Sequence, residues 1–223
     1  MAFLLCVGLC GYGVMRKLGS SVVCPLSGRY IFEGTMSQER EDKARNYLKN
    51  FLSEYFEVKE EVLGSWPLDE RPLRLDLLLR PKQKAIDLGF DVEAVGIEIK
   101  DSQSKESVKK LLDCVMQSYT YTFCEFDGVR PAFVLIYPEI EKFFEEDWVN
   151  KYDRSEREEP TKREKRLLRR LMQRANVGEL KIKPNNEFVF DFGAGPFFRS
   201  DKGRSNIKGI GLNRYVGSQK KVE

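Results

Sequence analysis

In the stretch GIEIKDSQS (96–104) an apolar run ends on a glutamate, one apolar residue and a lysine. Alternate side chains of an extended strand point the same way, so Glu98 and Lys100 share a face and Ile99 takes the other. Upstream, Asp76 is the only acidic residue of LRLDLLLR (73–80). A carboxylate among leucines is costly unless it is ion-paired, hydrogen-bonded or bound to a metal. Two chemistries fit these residues. In the first, Glu98 and Lys100 form a surface ion pair worth at most ~1 kcal/mol, and Asp76 bridges to Arg74 or Arg80. In the second, the two carboxylates hold a divalent cation with an amine beside it.

Composition narrows the field. The 223 residues include no histidine, which excludes Ser-His and Cys-His nucleophile pairs, His-ligated zinc and the usual neutral-pH base. A metal here must be held by carboxylates and other oxygen ligands, which favours Mg²⁺ or Mn²⁺. The five cysteines (6, 10, 24, 114 and 124) contain no CxxC pair; they fit buried thiols in a reducing compartment, and a cytoplasmic protein is expected. A net charge of +3 gives only weak overall attraction to nucleic acid, so any such attraction must come from local patches.

The elements that must position these residues can be read from hydrophobic periodicity. Residues 1–35 begin with MAFLLCVGLCGYGVM, too short an apolar run for a comfortable span and a poor signal peptide. They are expected to be a leader or accessory segment, with no membrane partner. From Ser37, a plausible N-cap, Glu41, Ala44, Leu48, Phe51, Leu52 and Tyr55 follow helical spacing. FEVKEEVLG (56–64), LRLDLLLR (73–80) and VGIEIK (95–100) read as strands. Residues 105–123 read as a helix with Val108, Leu111, Leu112, Val115 and Tyr119 on one face, and PAFVLIYP (131–138) as a buried strand. The order helix, strand, strand, strand, helix, strand predicts an α/β core with a mixed central sheet over 36–150. A basic extension over 151–223 follows, with a charged linker, a helix in TKREKRLLRRLMQRAN and a β-hairpin turning at Pro184-Asn185-Asn186.

Asp76 on one strand, Glu98-Ile99-Lys100 on the next and a long helix after them resemble the PD-(D/E)XK nuclease superfamily, over roughly residues 37–138. Leucine stands before Asp76 where the name implies proline. In the following helix Gln117 and Tyr121 are four apart and share a face, which resembles the QxxxY motif of RecB-like nucleases. The resemblance implies a restriction-endonuclease-like core and a Mg²⁺- or Mn²⁺-dependent nuclease acting on DNA, as exonuclease, nickase or structure-selective endonuclease. By analogy with small stand-alone nucleases it also implies phage, prophage or mobile-element biology. It further implies that Asp76, Glu98 and the carbonyl of Ile99 hold the ion, that Lys100 orients or deprotonates the attacking water, and that Gln117 and Tyr121 line the site. Glu41, with Glu39 as its competitor, completes the metal shell from the first helix. Only Cys124 follows the QxxxY helix, so the cysteine trio that binds an iron–sulfur cluster in some relatives is missing and no cluster is expected. The alternative is the same fold acting as a non-catalytic nucleic-acid- or protein-binding module.

A phosphate-bearing substrate suits the basic C-terminal material. Lys165, Arg166, Arg169 and Arg170 on the helix and Arg204 in the tail are candidates for phosphate contact, alongside Lys162, Arg163, Arg174 and further tail cations. Pairing of this helix with the acidic segment 139–159 is the alternative. Phe197, Phe198 and Tyr215 are candidates for stacking on unpaired bases of single-stranded or structured DNA, or for packing on the hairpin.

Overall fold

The computed structural model describes residues 35–66, 69–103, 107–145, 162–193 and 195–205. The leader up to residue 34, the linker boundary at 150/151, Cys6, Cys10, Cys24, Tyr215 and the tail beyond 205 lie outside them. Helix α1 (Thr35–Leu52) leads into strands β1 (Phe56–Trp66) and β2 (Asp69–Pro81). A short helix α2 (Gln83–Asp87), strand β3 (Val95–Ile99) and helix α3 (Ser107–Tyr121) follow. The two-residue strand β4 (Glu125–Phe126), β5 (Val134–Tyr137) and helix α4 (Ile140–Glu145) come next. Helix α5 (Lys162–Arg174), β6 (Val177–Ile182), β7 (Phe188–Asp191), β8 (Pro196–Arg199) and β9 (Gly203–Arg204) close the described chain. The predicted order of core elements is present, with α2, α4, β4, β8 and β9 added to it.

All the described strands join one sheet in the order β4-β1-β2-β3-β5-β6-β7-β8-β9. It is mixed: β1, β2 and β3 pair antiparallel, β3, β5 and β6 pair parallel, and the remaining pairs are antiparallel. The hairpin expected as an appendage is β6–β7, and it continues the core sheet instead of standing apart. Its apolar positions and those of β8 require this, because Val177, Leu180, Phe188, Phe190, Phe197 and Phe198 have no exposed surface to speak of. Phe197 and Phe198 are therefore core residues, and base stacking by them is ruled out by burial. Phe190 packs against the rings of Phe56, Phe90, Phe133, Phe188 and Phe198, with centroids 5.3–6.3 Å apart.

The two faces of the sheet can be told apart along β5. Leu135 joins the cluster containing Leu48 and Leu52 of α1, with Leu77, Leu79, Val95, Ile97 and Ile99. Its neighbours Val134 and Ile136 face the other way. Ile136 packs with Leu111, Cys114 and Val115 of α3, and Val134 with Tyr121, Leu75 and Leu78. Helix α1 thus covers one face and α3 the other, each burying an apolar stripe that helical spacing brings into line. The stripe of α1 matches its sequence, although the helix starts at Thr35, ahead of the expected cap Ser37. The stripe of α3 is turned from the expected one. Leu112 and Tyr119 are exposed, while Cys114, Ser118 and Tyr121 are buried beside Leu111 and Val115. Among the described residues no helix is long and apolar enough to cross a membrane.

Candidate active site

The ladder between β2 and β3 ends at the pair Leu77–Ile97, so Asp76 and Glu98 sit one step beyond it on adjacent strands. Both carboxylates have a relative exposure of 0%. The Ile99 N–H donates to Asp76 Oδ2 at 2.8 Å, fixing the aspartate across the strand gap. Lys100 Nζ donates to Glu98 Oε1, also at 2.8 Å. The strand alternation that predicts a shared face for Glu98 and Lys100 therefore holds, and the pair is buried instead of superficial, with the lysine side chain only 12% exposed.

Why β2 delivers a carboxylate to this point follows from an irregularity in the strand. Leu77 and Leu79 pack on the α1 side, whereas Leu75 and Leu78 pack with Tyr121 on the α3 side. Residues 75 and 78 could not share a face in a regular strand, so the alternation slips at Asp76. The β1–β2 ladder pairs Glu60 with Leu77 and Val62 with Leu75 but omits Glu61 and Asp76. Glu61 has a φ of 48°, a left-handed conformation rare for a side-chain-bearing residue and typical of bulges beside functional sites.

Helix α1 reaches the same point. The guanidinium of Arg45 is 2.9 Å from Asp42, 3.4 Å from Glu61 and 3.7 Å from Asp76 Oδ1. Asp76 thus meets Arg45, whereas Arg74, one of its two expected partners, binds Glu61 at 3.1 Å and Arg80 binds Asp127 at 3.0 Å. Glu41 is placed nearby with a different duty: its Oε1 accepts the Asp101 N–H at 3.0 Å. Asp101 is itself buried, faces Arg40 at 3.4 Å and accepts the Gln103 N–H at 3.0 Å. No group of three or more His, Cys, Asp or Glu side chains among the described residues is arranged to hold a metal ion. Glu41 is instead engaged by the Asp101 amide, and no such group joins it to Asp76 and Glu98 among the described residues. The helix end uses it to cap the turn after Lys100.

Gln117 and Tyr121 do share a face of α3, and they bond to each other. Gln117 Nε2 donates to the Tyr121 hydroxyl at 2.6 Å, and that hydroxyl donates to the Arg74 carbonyl at 2.8 Å. Tyr121 is buried. The pair braces α3 against β2 two residues from Asp76, so its phenol holds the strand that carries the carboxylate. Cys114, one turn before Ser118 and also on this face, has its thiol pushed well above the ordinary range, first by burial and then by the negative charge of Glu98.

Strand register extends the line of charge. Glu98 pairs with Ile136, Ile136 with Glu179, and Glu179 with Asp191, so Asp76, Glu98, Glu179 and Asp191 occupy one row across the sheet. Each carboxylate of the row faces a cation. Arg169 Nε donates to Glu179 at 2.8 Å and its terminal nitrogen binds Glu141, while Lys181 binds Asp191 at 2.6 Å. Burial alone would lower the Arg169 pKa, but the hydrogen bonds to Glu179 and Glu141 outweigh it and raise it. Arg169 is thereby an internal tie to the acidic segment after β5. Arg204 is likewise committed, 3.2 Å from Asp91 and stacked 3.5 Å over the ring of Phe197. Lys165 lies 5.2 Å over Phe144, and Arg166 and Arg170 are exposed.

Sequence reasoning missed Arg45, Asp101 and Glu179. Arg45 had a usable signal, since Glu41, Arg45, Leu48 and Leu52 lie at helical spacing on one face of α1. Glu179 had one too, as the lone acid of the strand VGELKI. No family model, curated protein or solved structure matches this chain.

Proposed function

We propose that this chain is a Mg²⁺- or Mn²⁺-dependent nuclease of the PD-(D/E)XK kind that hydrolyses phosphodiester bonds in DNA. The observation that carries the reading is the pairing of two fully buried carboxylates, Asp76 and Glu98, on adjacent strands with Lys100 bonded to the second. Mg²⁺ is commonly held by one or two carboxylates and keeps several waters, so this pair is a sufficient protein contribution without Glu41. Asp76 and Glu98 would hold the ion, with the Ile99 carbonyl between their strands as a further oxygen donor. A bound divalent ion supplies Lewis acidity and a water of lowered pKa.

The remaining work falls to the chain's own groups. Lys100, bonded to Glu98, brings its amine beside the carboxylates, where it would stabilise negative charge developing on a phosphoryl group. The Ile99 N–H fixes the Asp76 rotamer, and the Gln117–Tyr121 brace fixes the strand beneath it, so the carboxylates need little reorganisation. Arg166 and Arg170, exposed on α5, attract the phosphate backbone without reading sequence. A second reading, a binding module on the same fold, draws on the internal bonds that Asp76 and Glu98 already make.

Incubating the full chain with linear, nicked, circular and single-stranded DNA in Mg²⁺, Mn²⁺ or EDTA separates the two. The nuclease reading expects products with Mg²⁺ or Mn²⁺ and none in EDTA. Retention of DNA without cleavage under every condition would select the binding module.

A further inference from the structure

Arg45 is a buried charged group whose cost the fold does not otherwise explain. Its side chain is 10% exposed, and its Nε–H is buried with no hydrogen-bond acceptor. Leaving such a donor unsatisfied is costly, and stable cores avoid it. The guanidinium is gripped on its outer side by two half-exposed carboxylates, Asp42 and Glu61. Glu61 does so from a left-handed backbone. On its inner side it faces buried Asp76 at 3.7 Å, too long for a hydrogen bond and near enough for strong charge attraction. A buried cation with an unsatisfied donor and a strand residue in a left-handed conformation thus meet at the side chain that faces Asp76.

We propose that Arg45 is a positioning residue, a resident counter-ion that holds the Asp76 side chain in place until a divalent cation binds. Asp42 and Glu61 act on it in turn. By drawing positive charge outward they set how strongly Arg45 opposes the cation. This rests on the reading of Asp76 and Glu98 as ion ligands and assigns the tuning of their affinity to α1 and the β1 irregularity. The guanidinium stays in place when the ion arrives, because its two outer partners hold it.

The test uses the full chain, with Mn²⁺ binding followed by electron paramagnetic resonance of the free ion and by thermal melts with and without Mn²⁺. Arg45→Met removes the charge and keeps the apolar stem. It is expected to melt lower than wild type in EDTA and to bind Mn²⁺ at least ~10-fold more tightly, since a charge–charge contact near a protein surface exceeds that scale. Its Tm should rise more with Mn²⁺ than that of wild type. Arg45→Lys should restore wild-type binding. Glu61→Gln should act in the opposite direction, weakening Mn²⁺ binding because Arg45 is less neutralised. A merely structural role would lower both melting temperatures without moving Mn²⁺ affinity in opposite directions. Equal affinities, or changes of the same sign in Arg45→Met and Glu61→Gln, would overturn the proposal. Should Arg45→Met not fold, Glu61→Gln decides alone, since unchanged or tighter Mn²⁺ binding there is fatal. Wild type that binds no Mn²⁺ defeats the nuclease reading; wild type that binds it regardless of Arg45 and Glu61 defeats only this inference.

Discussion

Tyr121→Phe isolates the brace between α3 and β2. The substitution keeps the ring, which packs edge-on against Phe126 at 5.4 Å, and deletes only the hydroxyl. Two hydrogen bonds go with it: the one to the Arg74 carbonyl at 2.8 Å and the one from Gln117 at 2.6 Å. Gln117 is half-buried and can turn its amide to water, so its loss is small. The Arg74 carbonyl loses a buried donor. Adding one net hydrogen bond to the desolvation of a group left unsatisfied gives about 2 kcal/mol. For a domain of this size each kcal/mol moves Tm by roughly 3 °C, so a fall of about 6 °C is expected. Gln117→Ala should cost about 0.5 kcal/mol, and the double variant should be less than additive because both changes break one shared bond. Melts followed by circular dichroism in EDTA measure this without interference from a cation. An unchanged Tm in Tyr121→Phe would show that the hydroxyl braces nothing, and would return Tyr121 to a substrate-contact role.

Other outcomes follow from the charge network and the thiols. Arg169→Ala strands the buried Glu179 carboxylate and should cost about 3 kcal/mol of stability. Exposed Arg166→Ala and Arg170→Ala should stay within about 0.5 kcal/mol while lowering DNA affinity and the slope of its salt dependence. Guanidinium chloride titrations and binding at several salt concentrations separate these effects. The Cys124 thiol is pushed by burial from an ordinary 9.0 to about 11. In that interval the unfolded chain has lost the proton that the folded chain keeps, so the thiol's contribution to stability is complete below about pH 9 and disappears as pH rises towards 11. Denaturant midpoints for wild type and Cys124→Ala should converge over that range; a parallel decline would contradict it.

Much of this fold was legible because apolar residues mark the faces that the helices bury and the strands that are buried on both sides. The helical spacing of Leu48 and Leu52 reports directly on burial, the alternation in VGIEIK reports only which side chains share a face of a fully buried strand, and the row from Glu98 to Glu179 follows once register is known. What escaped was whatever depended on a break in regularity or on distant partners. The slip at Asp76 depends on Glu61 adopting a positive φ, which no local pattern announces. The apolar residues of α3 permit either of two faces. Leu112 and Tyr119 looked as buriable as Leu111, and only the sheet beneath selects Cys114, Ser118 and Tyr121. The resemblance and its face of α1 point Glu41 to the metal shell, and the amide of Asp101 that engages it lies far along the chain. Arg169 reads as a phosphate contact until Glu179 and Glu141 are seen to hold it.

The measurement closest to the centre of this account is the initial rate of DNA cleavage in Mg²⁺ by wild type, Asp76→Asn and Lys100→Met, each first shown by circular dichroism to be folded. Asp76→Asn keeps an oxygen to accept the Ile99 N–H, so the fold should persist while the charge at the site is lost. Both variants should cleave at least ~100-fold more slowly than wild type, as removal of one group that stabilises transition-state charge typically does. Cleavage at the wild-type rate by either folded variant would contradict the assignment of Asp76, Glu98 and Lys100 as the centre of the reaction.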